Sequence, residues 1–266
     1  MRWLAAVLVL AGCAPPQKAQ TSVQPTVVSL NPCTDAILAE VTAPGQLLAI
    51  SHYSKDPAAS SMMPAQASRY PATGGSVEEV LALQPDVVVA GSFLDPAARR
   101  AFERLGIRVE TVGIAQTVAQ SVAQVRQLAE LTGEPARGEA LAARIQNAWE
   151  EASFSGPPVE TLLWQEGGIV PGPDSLIAQL MARSGFALHS AARGLQQGAY
   201  LPLEQVLADP PALVLSAADE PMLRHPVLAH VPGMARAEFD PALLYCGGPS
   251  IPRALARLRQ VREGEL

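Results

Sequence analysis

Short apolar runs alternate with stretches of helical periodicity along most of this chain. Residues 86–90 (Asp-Val-Val-Val-Ala) show no polar–apolar alternation after the aspartate, which is typical of a parallel strand buried on both faces. The other runs predicted as strands are 26–30, 46–51, 108–112, 161–165, 213–216 and 237–240. Because helical segments of about ten residues separate most of these runs, the pattern predicts βαβ units and an α/β fold.

The predicted helices follow the same alternation. Helical spacing covers 34–41, 76–83, 97–105, 174–184, 203–207 and 252–262. We expect Thr34 to cap the first helix, and Ser76 with Glu79 forms the S-x-x-E pattern of a capping box.

One helical pattern is much longer than the others and has no strand inside it. It extends over 116–151 and is interrupted only at Gly133-Glu134-Pro135. A helical connector between two α/β lobes explains this pattern. We therefore predict an N-terminal lobe at 26–115, a connecting helix region at 116–152 and a C-terminal lobe at 153–266.

The amino terminus has the pattern of an export signal. Met1 and Arg2 precede nine apolar residues, a stretch too short to span a bilayer but suited to a signal peptide. The stretch leads into Leu-Ala-Gly-Cys, which resembles the bacterial lipobox and makes Cys13 the predicted lipidation site. Residues 1–13 are then the signal peptide and 14–25, rich in Pro and Gln, a flexible tether. The alternative is an ordinary secretory signal with an incidental cysteine.

Composition and motifs exclude several classes of protein. The chain has 266 residues, 48% of them hydrophobic, which is enough for two buried lobes, and no apolar run long enough for a membrane-spanning helix. A net charge of −6 disfavours nucleic-acid binding. There is no G-x-S-x-G, H-E-x-x-H, C-x-x-C or phosphate-loop motif, and the four histidines lack metal-ligand spacing. We therefore expect no enzyme, no metal site and no cofactor; an envelope α/β hydrolase with an unrecognised serine nucleophile is the rival from another class.

Four segments together resemble one known family in their order and spacing. They read VVSLNPCTDAIL, GGSVEEVLALQPDVVVAG, LPLEQVLADPPALVLS and LYCGGPSIPRAL. This pattern resembles the substrate-binding proteins of ABC importers for cobalamin and ferric siderophores, and AISHYSKDP is similar to a loop of the cobalamin-binding members. The resemblance implies a class III periplasmic binding protein, with two Rossmann-like lobes joined by a long rigid helix. It also implies a lipid-anchored monomer in the periplasm that delivers a metal chelate to an ABC permease.

The ligand of such a protein would lie in a cleft between the lobes. Cobalamin or a related corrinoid is favoured, and a ferric siderophore or haem is the alternative, since Arg69, Arg193 and Arg253 lie near the proposed cleft loops. A signalling receptor that uses the same fold is a further possibility.

Aromatic residues are scarce, at 5%, so their positions are informative. Most of them fall in predicted loops or at the carboxyl ends of predicted strands, where α/β sheets bind ligands. Tyrosine also favours half-exposed loops for reasons unrelated to ligands. The predicted ligand contacts are Tyr53, Tyr70, Ser92, Phe93, Trp164, Tyr200 and Tyr245.

Two glutamates occupy matching places, one in each lobe. Glu78 and Glu204 fall in the first turn of a helix that precedes an apolar strand. In the family that the chain resembles, one carboxylate on each lobe docks onto arginines of the permease. The alternative is that both residues only favour the positive end of a helix.

Cys33 and Cys246 form an even pair in an oxidising compartment once Cys13 carries the lipid. A disulfide, a pair of ligand contacts and two free buried thiols are the three alternatives for them.

Overall fold

Two mostly parallel sheets, one from each half of the chain, form the framework of the protein. The computed structural model describes residues 24–217 and 225–264. The predicted signal peptide and Cys13 lie outside the described residues. No helix in the described ranges is long and apolar enough to span a membrane.

The N-terminal lobe contains a five-stranded sheet in the order β3-β2-β1-β4-β5, with every neighbouring pair parallel. The strand order reverses between β1 and β4, which makes their carboxyl ends the expected place for a ligand. A 3₁₀ turn at His52–Lys55 follows β2. The elements are β1 (Val27–Ser29), α1 (Pro32–Val41), β2 (Leu47–Ser51), α2 (Pro64–Ala67), β3 (Ala72–Thr73), α3 (Val77–Leu83), β4 (Val87–Gly91), α4 (Pro96–Arg104) and β5 (Arg108–Val112).

The C-terminal lobe contains a four-stranded parallel sheet in the order β11-β10-β6-β8, and β7 pairs with β9 in a separate antiparallel ribbon. Short 3₁₀ turns lie at Glu166–Gly168, Pro226–His230 and Pro241–Leu243. The elements are β6 (Val159–Gln165), β7 (Ile169–Val170), α7 (Leu176–Arg183), β8 (Phe186–Leu188), α8 (His189–Ala192), β9 (Ala199–Tyr200), α9 (Leu203–Ala208), β10 (Leu213–Ala217), β11 (Ala235–Glu238) and α10 (Ser250–Gly264).

The connector between the lobes is two helices rather than one. α5 (Val118–Leu131) and α6 (Pro135–Glu151) pack against each other, and the break between them falls at the Gly133-Glu134-Pro135 interruption seen in the sequence. Gly133 lies at φ 73°, in the left-handed region that ends a helix, and a proline begins the next one.

Both helices contact both lobes: α5 packs against α1, and its Val118 N donates to Gln179 Oε1 of α7 at 2.7 Å, and α6 also reaches from one lobe to the other. Near its middle Arg144 forms an ion pair of 2.9 Å with Glu40 of α1, in the N-terminal lobe. At its end the Trp149 carbonyl accepts a hydrogen bond of 2.8 Å from Arg183 Nε of α7, in the C-terminal lobe. α6 therefore connects the two lobes on the side opposite the carboxyl ends of their strands.

The main hydrophobic core is continuous between the lobes. It includes Leu38 of α1, Leu128 of α5, Ile145 of α6, Leu163 of β6 and Leu258 of α10, all fully buried. A shared core of this kind resists large rearrangement of one lobe against the other.

The predicted helix caps are partly right. Ser76 Oγ accepts from Glu79 N at 3.2 Å, as expected. The Thr34 cap is wrong, because α1 begins at Pro32 and Asn31 Oδ1 caps it by accepting from Cys33 N at 2.9 Å.

Candidate functional site

A cavity of about 660 Å³ lies between the carboxyl ends of the two sheets. On the N-terminal side, Asn31 and Ser92 follow β1 and β4, the two strands at which the order reverses. On the C-terminal side, Gln165 ends β6 and the segment 171–177 leads into α7. The volume lies within the usual range for small-molecule sites, roughly 300–1,000 Å³.

Two apolar side chains project from the N-terminal wall of the cavity. Phe93 follows β4 and is 89% exposed, and Ile114 follows β5 and is 76% exposed. Leaving such large apolar side chains in water is unfavourable, and a ligand that covers them gains about 1.5–3 kcal/mol for each fully buried side chain. Phe93 was predicted from the sequence. Ile114 was missed, although it follows the end of β5 much as Phe93 follows the end of β4.

Amides make up most of the polar side chains that line the cavity. Gln124 Nε2 donates to the Gly113 carbonyl at 2.8 Å, which orders that side of the wall. The side-chain amides of Gln116 and Gln165 hydrogen-bond to no other described residue, so they are free to bind a ligand. The glutamines that line the cavity are Gln116, Gln124, Gln165, Gln196 and Gln197.

Trp164 does not line the cavity, contrary to the prediction. Its side chain is fully buried, and Nε1 donates to the Leu201 carbonyl at 3.1 Å in a core formed with Val170 and Val206. Successive side chains of a strand point to opposite faces. Gln165, the next residue of β6, therefore lines the cavity at the position predicted for Trp164.

The other predicted contacts are divided between the cavity and the surface. Ser92, Phe93 and Tyr245 line the cavity. Tyr53 and Tyr200 do not line it, and they are 56% and 60% exposed. Tyr70 is half-buried against the main core, with its hydroxyl 3.5 Å from the Ala39 carbonyl.

Tyr245 is the aromatic hydroxyl of the cavity. Burial raises the pKa of its phenol, and the nearby carboxylates of Glu166, Asp56 and Asp240 raise that pKa further. The phenol therefore stays protonated at neutral pH and can act as a hydrogen-bond donor or acceptor towards a ligand.

No cationic side chain lines the cavity in the part of the chain that the structure describes, and Asp174 is the one charged residue there. The arginines proposed as anchors for an anionic chelate are engaged elsewhere or exposed outside it. Arg193 pairs with Glu160 and Asp209, Arg253 Nη1 donates to the Ser61 carbonyl at 2.9 Å, and Arg69 is exposed.

The structure joins Cys33 and Cys246 in a disulfide, with Cα atoms 5.1 Å apart. The bridge connects the first turn of α1 to the segment before α10, and both residues line the cavity. Of the three alternatives for this pair, the structure thus contains the disulfide.

Glu78 and Glu204 are both exposed, in the first turns of α3 and α9. Neither carboxylate forms an ion pair within the described ranges. Because these helices precede β4 and β10 in their sheets, both begin at the edge where the strands end and the cavity lies.

Nothing in the described residues supports the hydrolase alternative. None of their four histidines is hydrogen-bonded to a serine hydroxyl: His189 Nδ1 lies 2.8 Å from Glu160 Oε1, and His230 Nδ1 lies 2.9 Å from the Pro226 carbonyl. Burial lowers the pKa of His189, which keeps this ring neutral in the protein interior. The described residues also contain no group of three or more His, Cys, Asp or Glu side chains that could hold a metal ion.

Comparison with known proteins identifies the class. A family model described as periplasmic binding protein matches residues 27–236, and the chain belongs to this family. It is a periplasmic solute receptor, not an enzyme. A search of curated proteins gave no match.

Solved structures share the whole fold at low sequence identity. The periplasmic haem-binding protein HutB of Vibrio cholerae superposes with a TM-score of 0.73 at 19% identity, over 89% of this chain and 98% of that one. The haem-binding protein RhuT from Roseiflexus sp. RS-1 gives 0.70 at 20%, over 90% and 96%. The vitamin B12-binding protein BtuF of Vibrio cholerae gives 0.69 at 18%, over 90% and 97%. The chain therefore has the class III periplasmic binding protein fold that was predicted from the sequence.

Proposed function

We propose that this protein is a lipid-anchored, monomeric receptor that captures a neutral metal chelate, cobalamin or a related corrinoid, and delivers it to an ABC importer. The observation that carries the choice of ligand is the lining of the cavity. Five glutamines, an asparagine and an apolar wall surround it, and no cationic side chain lines it in the described part of the chain. Cobalamin has a rigid apolar macrocycle with carboxamide groups at its rim, which match amide partners.

Charge argues against an anionic ligand. Haem carries two propionates, and many ferric siderophores have a net negative charge. Such a ligand would place its carboxylates or catecholates near Asp174, and near Glu166 and Asp56 beside Tyr245, with no cationic side chain among the described lining residues to pair with them. Burying an unpaired charge costs several kcal/mol.

Haem is the second candidate, because Tyr245 lines the cavity and a tyrosine can be an axial ligand of haem iron. Several of the similar solved structures are also those of haem-binding proteins. Coordination requires the phenolate, however, and burial, followed by the neighbouring carboxylates, holds the pKa of Tyr245 above its usual value. No cationic side chain among the described lining residues is placed to pair with the haem propionates, which favours the corrinoid.

The direct test is purification without added ligand, followed by an absorption spectrum and calorimetric titration with cyanocobalamin, haemin and ferric chelates. We expect saturable binding of the corrinoid and weak or no binding of the anionic ligands. Tighter binding of haemin or of a ferric siderophore would overturn the ligand assignment and leave the receptor assignment intact.

The apolar wall gives a prediction for affinity. Replacing Phe93 or Ile114 by alanine will weaken corrinoid binding about tenfold each, because losing roughly 1.4 kcal/mol of apolar contact changes a dissociation constant by that factor. Titration of each variant checks this. Leu105→Ala is the matched control, since Leu105 is an apolar side chain that is 49% exposed outside the cavity. Unchanged affinity in both wall variants would show that the ligand lies elsewhere.

The lipid anchor gives a prediction for location. A Cys13→Ser protein will leave the membrane fraction and lose fatty-acid labelling, because lipidation needs the cysteine thiol. Fractionation after labelled palmitate feeding measures both effects. A Cys13→Ser protein that remains labelled and membrane-bound contradicts the lipoprotein assignment.

Docking to the permease is the last part of the proposal. Glu78 and Glu204 supply one exposed carboxylate on each lobe, on the side of the molecule where the cavity lies. A permease built around a two-fold axis presents two equivalent sites, and a receptor with two similar lobes can offer one carboxylate to each.

A further inference from the structure

The segment before α10 brings a tyrosine to the cavity, and residues outside its own lobe hold it there. It comprises residues 245–248 (Tyr-Cys-Gly-Gly) and follows the 3₁₀ turn Pro241–Leu243 of the C-terminal lobe. Tyr245 lines the cavity and is 45% exposed, so packing does not enclose its ring on every side. The position of the ring therefore depends on how firmly the backbone of this segment is fixed.

α1 of the N-terminal lobe holds the segment at two points. Cys33, in the first turn of α1, is bonded to Cys246, and Cys33 Sγ lies 3.4 Å from the Tyr245 carbonyl oxygen. One turn further along α1, Ile37 lies so close to Gly248 that a Cβ on this glycine would approach Ile37 Cγ1 to 2.8 Å. The backbone on the C-terminal side of Tyr245 thus lies directly on α1.

α5 of the connector holds the same segment at a third point. Ser121 is fully buried, and its Oγ accepts a hydrogen bond of 2.6 Å from Gly248 N. A Cβ on Gly247 would collide with this hydroxyl, so the close approach to α5 requires glycine. Gly248 has φ 65°, a left-handed conformation that glycine adopts without strain. A covalent bond and a buried hydrogen bond therefore fix two successive parts of the segment.

We infer that the Cys33–Cys246 bridge and Ser121 form a clamp that positions Tyr245 for binding of the chelate. Cys246 is the next residue after Tyr245, so opening the bridge frees the backbone that carries the ring. Ligand binding must then order this side chain, and the cost of ordering lowers the affinity. The inference rests on the proposed function for the identity of the ligand, and it gives the bridge a role in affinity in addition to its role in stability.

The test is a double-mutant cycle between the bridge and Tyr245, measured by calorimetric titration of the purified proteins with cyanocobalamin. We expect Tyr245→Ala to weaken binding about tenfold. The Cys33→Ala, Cys246→Ala variant will weaken it about fivefold, since ordering one side chain costs roughly that factor. The protein with all three substitutions will bind no more weakly than Tyr245→Ala alone, because the bridge acts through the tyrosine.

Ser121→Ala is the second variant, since it removes the hydrogen bond to the segment and keeps the bridge. It will weaken binding as well, and it will lose this effect in a Tyr245→Ala protein. Val206→Ala is the control, because Val206 is fully buried in the C-terminal lobe and outside the cavity. This control loses stability and will keep the wild-type affinity.

A measurement without ligand separates positioning of the ring from direct contact between the cysteines and the chelate. In protein labelled with fluorotyrosine, the fluorine NMR resonance of Tyr245 is assigned by its absence from the Tyr245→Phe protein. Removal of the bridge will shift or broaden this resonance, and the Val206→Ala control will leave it unchanged.

Three results distinguish the ways in which the inference can fail. If the losses from the bridge and from Tyr245 add, the bridge does not act through the tyrosine, and the clamp is wrong. If the bridge variant keeps both the affinity and the fluorine resonance of the wild type, the segment holds its place without the disulfide, which also contradicts the clamp. If the wild type prefers haemin or a ferric chelate, only the ligand assignment of the proposed function fails, and the same cycle measured with that chelate decides the role of the clamp.

Discussion

Replacing both Cys33 and Cys246 by alanine will lower the free energy of unfolding by about 2–4 kcal/mol. The bridge closes a loop with a sequence separation of 213 residues, which connects α1 of the N-terminal lobe to the segment before α10. Removing it releases a large amount of conformational freedom in the unfolded chain. Guanidinium denaturation of the wild-type and variant proteins, followed by circular dichroism, measures the difference.

Reduction provides the matched control for this prediction. Dithiothreitol will lower the denaturation midpoint of the wild type towards that of the Cys33→Ala, Cys246→Ala variant, and will leave the variant unchanged. If the denaturation midpoint of the wild type equals that of the variant and does not change with dithiothreitol, the bridge contributes nothing to stability.

The central strands of the N-terminal sheet were predictable because their side chains are buried on both faces. β1 and β4 were located within one residue at each end, since uninterrupted apolar runs between polar turns leave little choice of position. The place of the cavity follows from the same reasoning, because the carboxyl ends of parallel strands meet at one edge. The fold and the general position of the site could therefore be predicted from the sequence.

The particular side chains of the site were less predictable, since they depend on directions that periodicity does not reveal. Trp164 and Gln165 are neighbours at the end of one strand, yet one is core and the other lines the cavity. Nothing local distinguishes Tyr245 from Tyr200, because the course of each loop depends on the rest of the fold. The division of 116–152 at Gly133 was visible, but the packing of the two helices against each other needed the tertiary structure.

Exchanging both Glu78 and Glu204 for lysine will abolish uptake of the chelate while its affinity for the isolated receptor stays at the wild-type value. Both carboxylates are exposed and outside the cavity, so the substitutions leave the affinity for the chelate unchanged. Binding to the permease is affected, because attraction between a carboxylate and a positively charged site becomes repulsion at both sites. Repulsion between like charges weakens a complex more strongly than the loss of a single attraction does. Uptake of radiolabelled cyanocobalamin by cells that carry each variant, beside titration of the purified proteins, separates the two effects.

The control must carry the same change in net charge at the opposite side of the molecule. Glu130 and Glu151 are exposed at the ends of α5 and α6, on the side where the strands begin. A Glu130→Lys, Glu151→Lys receptor therefore tests whether charge alone matters, and we expect it to support normal uptake. If neither double variant supports uptake, the loss of uptake is caused by the change in net charge and not by the positions of Glu78 and Glu204. If both transport normally, α3 and α9 do not carry the contact, and the docking face must be sought elsewhere on the receptor.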